Sequence, residues 1–187
     1  MPVTATREVY PWILLWNRCT WALEDAATAK DREYLYIFSM IMSALTLEAF
    51  LNHLLRFRRP QGWPEFERKA TPAQKLRALC TALGFKPDKH HRPFSTFSEI
   101  FRFRNDLAHA KPITLSRTFN YPIREFLEAK ELPPFPLTPW ERALRPATAR
   151  KFHGDTRDMI LALYAAADMG DKPFDETFSR TRWKGTL

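Results

Sequence analysis

Apolar residues recur along most of this chain at the three- and four-residue spacing of helices that bury one face. In residues 6–30, Val9, Trp12, Ile13, Leu15, Trp16, Cys19, Trp21 and Leu23 predict a first helix. Pro11 falls in its first turn, where a missing N–H is tolerated. Asp31 is placed to cap a second helix running through Tyr34, Leu35, Phe38, Ile41, Met42, Leu45, Leu47, Phe50, Leu51, Leu54 and Leu55, until Arg58-Arg59-Pro60 stops it. At a rise of ~1.5 Å per residue this helix is about 40 Å long, the scaffold of a bundle.

Residues 61–70 read as a connector with one turn of helix. Thr71-Pro72-Ala73-Gln74 has the form of a capping box, with threonine at the cap, proline first in the helix and glutamine three after the cap. It opens a short helix that Gly84 ends. A basic loop with His90, His91 and Arg92 follows, then a helix starting near Ser95 and packing through Phe97, Ile100, Phe101 and Leu107. From 111 to 146 the texture changes, because Pro112, Pro122, Pro133, Pro134, Pro136, Pro139 and Pro146 break the chain into short pieces. Residues 113–121 suit a short strand pair, and Thr138-Pro139-Trp140-Glu141 opens another short helix. A last helix spans about 147–169, weakened in its middle by Gly154. The polar, basic tail from Gly170 is expected to drape over the surface or stay mobile.

The pattern therefore predicts an all-α fold: one antiparallel helical bundle over residues 1–169, a proline-rich insertion at 111–146 before the last helix, and a tail at 170–187. Composition agrees, since 187 residues suit one domain and 5 glycines are few for a turn-rich β protein. No apolar run is expected to span a membrane, and Met1-Pro2-Val3-Thr4 lacks the layout of a signal peptide, so the chain reads as cytoplasmic. Cys19 and Cys80 fall in apolar helical patterns and read as core thiols in a reducing compartment. A formal net charge of +8 and a pI near 9.7 favour polyanionic partners, RNA, DNA or an acidic protein.

Candidate chemistry concentrates in Phe101-Arg102-Phe103-Arg104-Asn105-Asp106-Leu107-Ala108-His109, near the end of a helix that should be burying apolar residues. Arginine is a permanent cation with fixed donors, and histidine exchanges protons near physiological pH. Together they meet what phosphodiester cleavage without a metal requires, charge stabilisation and proton transfer. Arg104 and His109 are five apart, roughly 140° around an ideal helix, whereas Asn105 and His109 share a face. Either the helix ends before His109, or the groups meet in a cleft between helices or subunits.

Glu48 and Asn52 interrupt an apolar stretch of the long helix one turn apart. A carboxylate in such surroundings needs a cation, and Arg104 is the foremost candidate. Two readings stand: Glu48 and Asn52 hold the catalytic pair, or Glu48–Arg104 is an ion pair that only fixes helix packing. Arg56, Arg58 and Arg59 form either a phosphate-binding patch or a basic last turn that complements the helix dipole. His90-His91 reads as part of a solvated loop, and His53 and His153 as packing or surface residues. No metal ligand set, glycine-rich phosphate loop or dinucleotide fingerprint is present. No cofactor is expected.

The segment Arg104-Asn105-Asp106-Leu107-Ala108-His109 resembles the signature of the HEPN superfamily: an arginine, a polar residue that is often asparagine, and a histidine four to six residues beyond the arginine. Leu47-Glu48-Ala49-Phe50-Leu51-Asn52 resembles the glutamate- and asparagine-bearing helix of some HEPN-like families. The similarity spans residues 34–169 and implies a HEPN-like helical bundle that dimerises with its motifs facing across a cleft. Active relatives are metal-independent endoribonucleases of toxin–antitoxin, CRISPR-associated and anti-phage systems. Carried over, the resemblance makes His109 a proton carrier or phosphate holder and Arg104 the stabiliser of phosphate charge. Asn105 would position one of them, Glu48 and Asn52 would support, and Arg56, Arg58, Arg59 and Arg102 would contact RNA. Implied partners are RNA, a second copy of the chain, and an acidic antitoxin or nucleotidyltransferase-like protein. Other members bind nucleotides, RNA or proteins without cleaving anything, so a non-catalytic binding module is the alternative.

Overall fold

In a computed structural model, residues 4–30, 32–58, 63–116, 136–175 and 179–184 are described. The architecture is all-α. Seven α-helices appear among these residues: α1 (Pro11–Asp25), α2 (Arg32–Arg58), α3 (Trp63–Lys69), α4 (Pro72–Leu83), α5 (Phe97–Ala108), α6 (Pro139–Ala143) and α7 (Pro146–Ala166). A short 3-10 turn, Phe94–Thr96, leads into α5.

The axis of the bundle is α2, which packs against α1, α4, α5 and α7. One side of it buries Met40, Leu47, Phe50, Leu51, Leu54 and Leu55 against Trp12, Ile100, Phe152, Met159 and Ile160. Small polar residues let α1 lie close to α2: Cys19 Sγ is 3.2 Å from Ser43 Oγ, and the Ser43 hydroxyl donates to the Ser39 carbonyl at 3.0 Å. These hydroxyls are fully buried, and their mutual hydrogen bonds offset the loss of water. Cys19 and Cys80 are both buried free thiols, as the pattern suggested. By length and a mean hydropathy of 1.6, α2 is apolar enough to cross a membrane, contrary to the sequence expectation. Its apolarity has a use within this fold, where 56% of that window is buried.

The helix boundaries show local chemistry at work. Pro11 occupies the first turn of α1. Thr71 accepts from the Gln74 N–H while Gln74 receives the Thr71 N–H, and Gly84 ends α4 at φ 64°, a left-handed conformation that glycine adopts without strain. Thr138 and Glu141 cap α6 in the same reciprocal way. The hydrogen bonds from Thr138 hold the Glu141 carboxyl below the usual range.

Several expectations are corrected. The first helix starts at Pro11, because Thr4–Val9 is a strand, β1, paired antiparallel with β2 (Ser179–Lys184) from Thr4↔Lys184 to Val9↔Ser179. Part of the segment read as a loose tail is thus tied into a two-stranded ribbon. The connector after α2 contains two turns of helix, α3, rather than one. The last helix runs Pro146–Ala166 and so ends short of the expected 169. Residues 113–116 are exposed and form no strand, and the rest of that expected pair, with Asp31 and residues 117–135 of the insertion, lies outside the described residues.

Candidate nucleic-acid site at the end of α5

One stripe of α2 carries Tyr34, Phe38, Ile41, Leu45, Glu48 and Asn52, spaced three and four apart, exposed at Tyr34 and Phe38 and part-buried at the other four. Against its C-terminal half lie α4 and α5, which bring cations to Glu48. Arg104 Nη2 donates to Glu48 Oε2 at 2.6 Å, and Lys75 Nζ donates to Glu48 Oε1 at 3.2 Å. One carboxylate therefore bridges two helices. Glu48 and Arg104 are each about a quarter exposed (24% and 23%), while Lys75 is 4% exposed and depends on this carboxylate for its charge balance. The Arg104 guanidinium also lies 5.8 Å from the Phe101 ring centroid, where the ring face attracts it.

The pairing of Glu48 with Arg104 was legible in the sequence; the part played by Lys75 was overlooked. Its signal was available, because Lys75 shares the apolar stripe of α4 with Leu76, Leu79 and Cys80. Asn52, one turn beyond Glu48, is half-buried, and its Oδ1 has no hydrogen-bond partner among the described residues; the same holds for Arg104 Nε. Two polar groups with unused capacity thus sit beside the ionic bridge.

The motif falls at a helix end, and no contact between Arg104 and His109 is present among the described residues. α5 stops at Ala108, and His109 is its C-cap at φ −114°, ψ 18°, with its N–H donating to the Asn105 carbonyl at 2.9 Å. Asn105 and His109 are both exposed, and so is Arg102. The motif therefore divides into an anchored cation, Arg104, and two solvent-facing polar side chains. Arg56 is exposed at the end of α2. Arg58 is also exposed, and its Nη2 donates to the Ala167 carbonyl at 2.9 Å, where it complements the negative end of α7. Arg59 lies outside the described residues.

The remaining histidines are elsewhere. His53 packs edge-on against Tyr10 and Phe57. His153 stacks on Trp16 with ring centroids 4.3 Å apart and lies 3.0 Å from Thr20 Oγ1. Burial, with a smaller contribution from Arg157, pushes its pKa down. In the basic loop, Asp88 pairs with His91 Nδ1 at 2.7 Å, and that hydrogen bond lowers the Asp88 pKa.

Sequence reading also missed a second ionic cluster. Asp155 on α7 is 1% exposed and accepts from Arg92 Nε at 2.8 Å and Nη2 at 2.7 Å, and from the Thr96 hydroxyl. These bonds pull the guanidinium pKa up and fasten the basic loop to α7. Asp155 falls on the apolar stripe Phe152–Thr156–Met159–Ile160–Leu163, which was the available clue.

No family model, curated protein or solved structure matches this chain.

Proposed function

We propose that this chain is a homodimeric, metal-independent endoribonuclease of the HEPN type acting on single-stranded RNA. The observation that carries the reading is the division of labour at the end of α5. Arg104 is oriented by Glu48 at 2.6 Å, while Asn105 in the last turn and His109 at the C-cap are exposed. In this reading the 2′-hydroxyl oxygen of the RNA attacks the adjacent phosphorus and the P–O5′ bond breaks. A 2′,3′-cyclic phosphate and a 5′-hydroxyl result. His109 carries the proton lost by the 2′-hydroxyl or gained by O5′, and Arg104 offsets the charge that builds on the phosphorane oxygens. Asn105 hydrogen-bonds the phosphate or orients the imidazole.

A second copy enters because the α2 stripe exposes two aromatic residues near its N-terminal end. Tyr34 is 58% and Phe38 36% exposed, on the same face as Glu48 and Asn52. A dimer over this face would bring two sets of Arg104 and His109 to one cleft, each protomer supplying different groups. The charge of +8 suits RNA, and it also suits an acidic antitoxin or nucleotidyltransferase-like partner that silences a toxin or anti-phage effector.

One observation favours the alternative of a non-catalytic binding module. Arg104, the cation that cleavage requires, is already engaged by Glu48 in an ion pair. Labelled single-stranded RNA incubated with the protein in excess EDTA, followed by analysis of the 3′ ends, separates the two. Cyclic phosphate ends that disappear in His109→Ala support the nuclease. Salt-sensitive RNA binding without any cleavage supports the binding module.

A further inference from the structure

At the opposite end of α5 from His109, a cavity of about 470 Å³ opens between α4, residues 84–95 and the first turn of α5. This volume falls in the ~300–1,000 Å³ range of small-molecule sites. Its apolar lining is Leu76, Phe85, Phe94 and Phe97. Phe85 and Phe94 have ring centroids 5.7 Å apart, their planes tilted by 51°.

The rim is cationic. Arg77, Lys86 and Lys89 line the cavity, all exposed, and none has an acidic partner among the described residues. Among the described residues no aspartate or glutamate lines the cavity, and Thr81, Ser95 and Ser98 add hydroxyl donors to its lining. Burial pushes the Cys80 thiol up, and the charge of Lys89 opposes part of that rise.

These walls are fixed before any ligand arrives. At one end of the loop, Gly84 turns the chain and the Phe85 N–H donates to the Cys80 carbonyl at 2.9 Å. At the other, Arg92 and Thr96 are clasped by the buried Asp155. A preformed aromatic lining with three unpaired cations is complementary to a flat, apolar body carrying a small dianion.

We propose that this cavity is a binding site for a free nucleoside monophosphate, with the base against the phenylalanines and the phosphate at Arg77, Lys86 and Lys89. The site is separate from the motif, since α5 alone sets the two about 18 Å apart at ~1.5 Å per residue. It shares both flanking helices with the ionic bridge: Lys75, which holds Glu48, immediately precedes the lining residue Leu76 on α4.

Cys80 supplies the readout, because it lines the cavity at 8% exposure whereas Cys19 is fully buried. The full chain is treated with a thiol-alkylating reagent in the presence of AMP, GMP, adenosine or inorganic phosphate, and melting temperatures are measured under the same conditions. At ten times its Kd, AMP or GMP should slow alkylation of Cys80 by about tenfold and raise the melting temperature. Adenosine and phosphate separately should do much less. The paired substitution Arg77→Ala and Lys89→Ala should abolish both effects while leaving the ligand-free melting temperature unchanged. Alkylation and melting that ignore millimolar AMP and GMP would overturn the proposal. So would equal protection by adenosine alone, or nucleotide effects that survive the paired substitution. None of these readouts depends on RNA cleavage, so failure here leaves the α5 C-terminal site untouched.

Discussion

Two carboxylates hold this bundle together, and they do so differently. Asp155 is sealed at 1% exposure, and one arginine and one threonine satisfy it. Glu48 is 24% exposed, shared between Lys75 and Arg104, and bordered by polar atoms with spare hydrogen-bonding capacity at Asn52 and Arg104. A closed cluster has nothing left to offer a ligand, so Asp155 reads as a clasp for the loop that walls the cavity. An open one, at the edge of solvent, can both orient a cation and receive a phosphate. On the proposed reading, the sealed and fully paired Asp155 is structural, whereas the partly open Glu48 borders the site.

The sharpest way to break this comparison is to remove each carboxylate in turn. Asp155→Ala strands the buried Thr96 hydroxyl and releases Arg92, whose guanidinium remains largely solvated. Urea unfolding should show a loss of about 2–3 kcal/mol, with little direct effect on chemistry at His109. Glu48→Gln keeps the shape but leaves Lys75 buried without a counter-charge. A loss of about 1–3 kcal/mol is expected, accompanied by reduced RNA cleavage because Arg104 is no longer held. If Glu48→Gln alters stability alone, the open cluster is as structural as the closed one.

Acid sharpens the picture of the core behind these clusters. His153 has its pKa depressed by burial, so below the unfolded-state value of about 6.5 the unfolded chain binds a proton that the folded chain resists. Stability should therefore fall as pH drops from about 6.5 toward the folded pKa, and His153→Phe, which keeps the stack on Trp16, should flatten that part of the pH profile. A smaller stability gain is expected in α7. A methyl group added at Gly154 would meet no atom within 4 Å, so Gly154→Ala should raise stability by about 0.5–1 kcal/mol in the same urea assay.

How much of this was legible in the sequence depends on how local each cause is. The Thr71–Gln74 and Thr138–Glu141 caps, the stop at Gly84 and the long apolar α2 follow from neighbours within a turn or two, and each is present as read. The β1–β2 ribbon was not legible, because its strands are separated by nearly the whole chain and Val9 fitted the period of the first helix. Lys75 and Asp155 lay on apolar stripes of α4 and α7, which announces a buried charge but not its partner. Of the ionic links, Glu48–Arg104 was inferred because both residues stood out in apolar surroundings. Arg92–Asp155 escaped because one member sat in a loop whose charges are ordinarily solvated.

The central claim is that the exposed end of α5 exists for chemistry rather than for packing, and His109→Ala tests it most directly when unfolding and RNA cleavage are measured on the same preparation. His109 is an exposed cap residue, so urea stability should change by no more than about 0.5 kcal/mol. Cleavage to 2′,3′-cyclic phosphate ends in EDTA should disappear. A variant that unfolds as the parent does and still cuts RNA at the parent's rate would contradict the account. So would a parent protein that leaves single-stranded RNA intact.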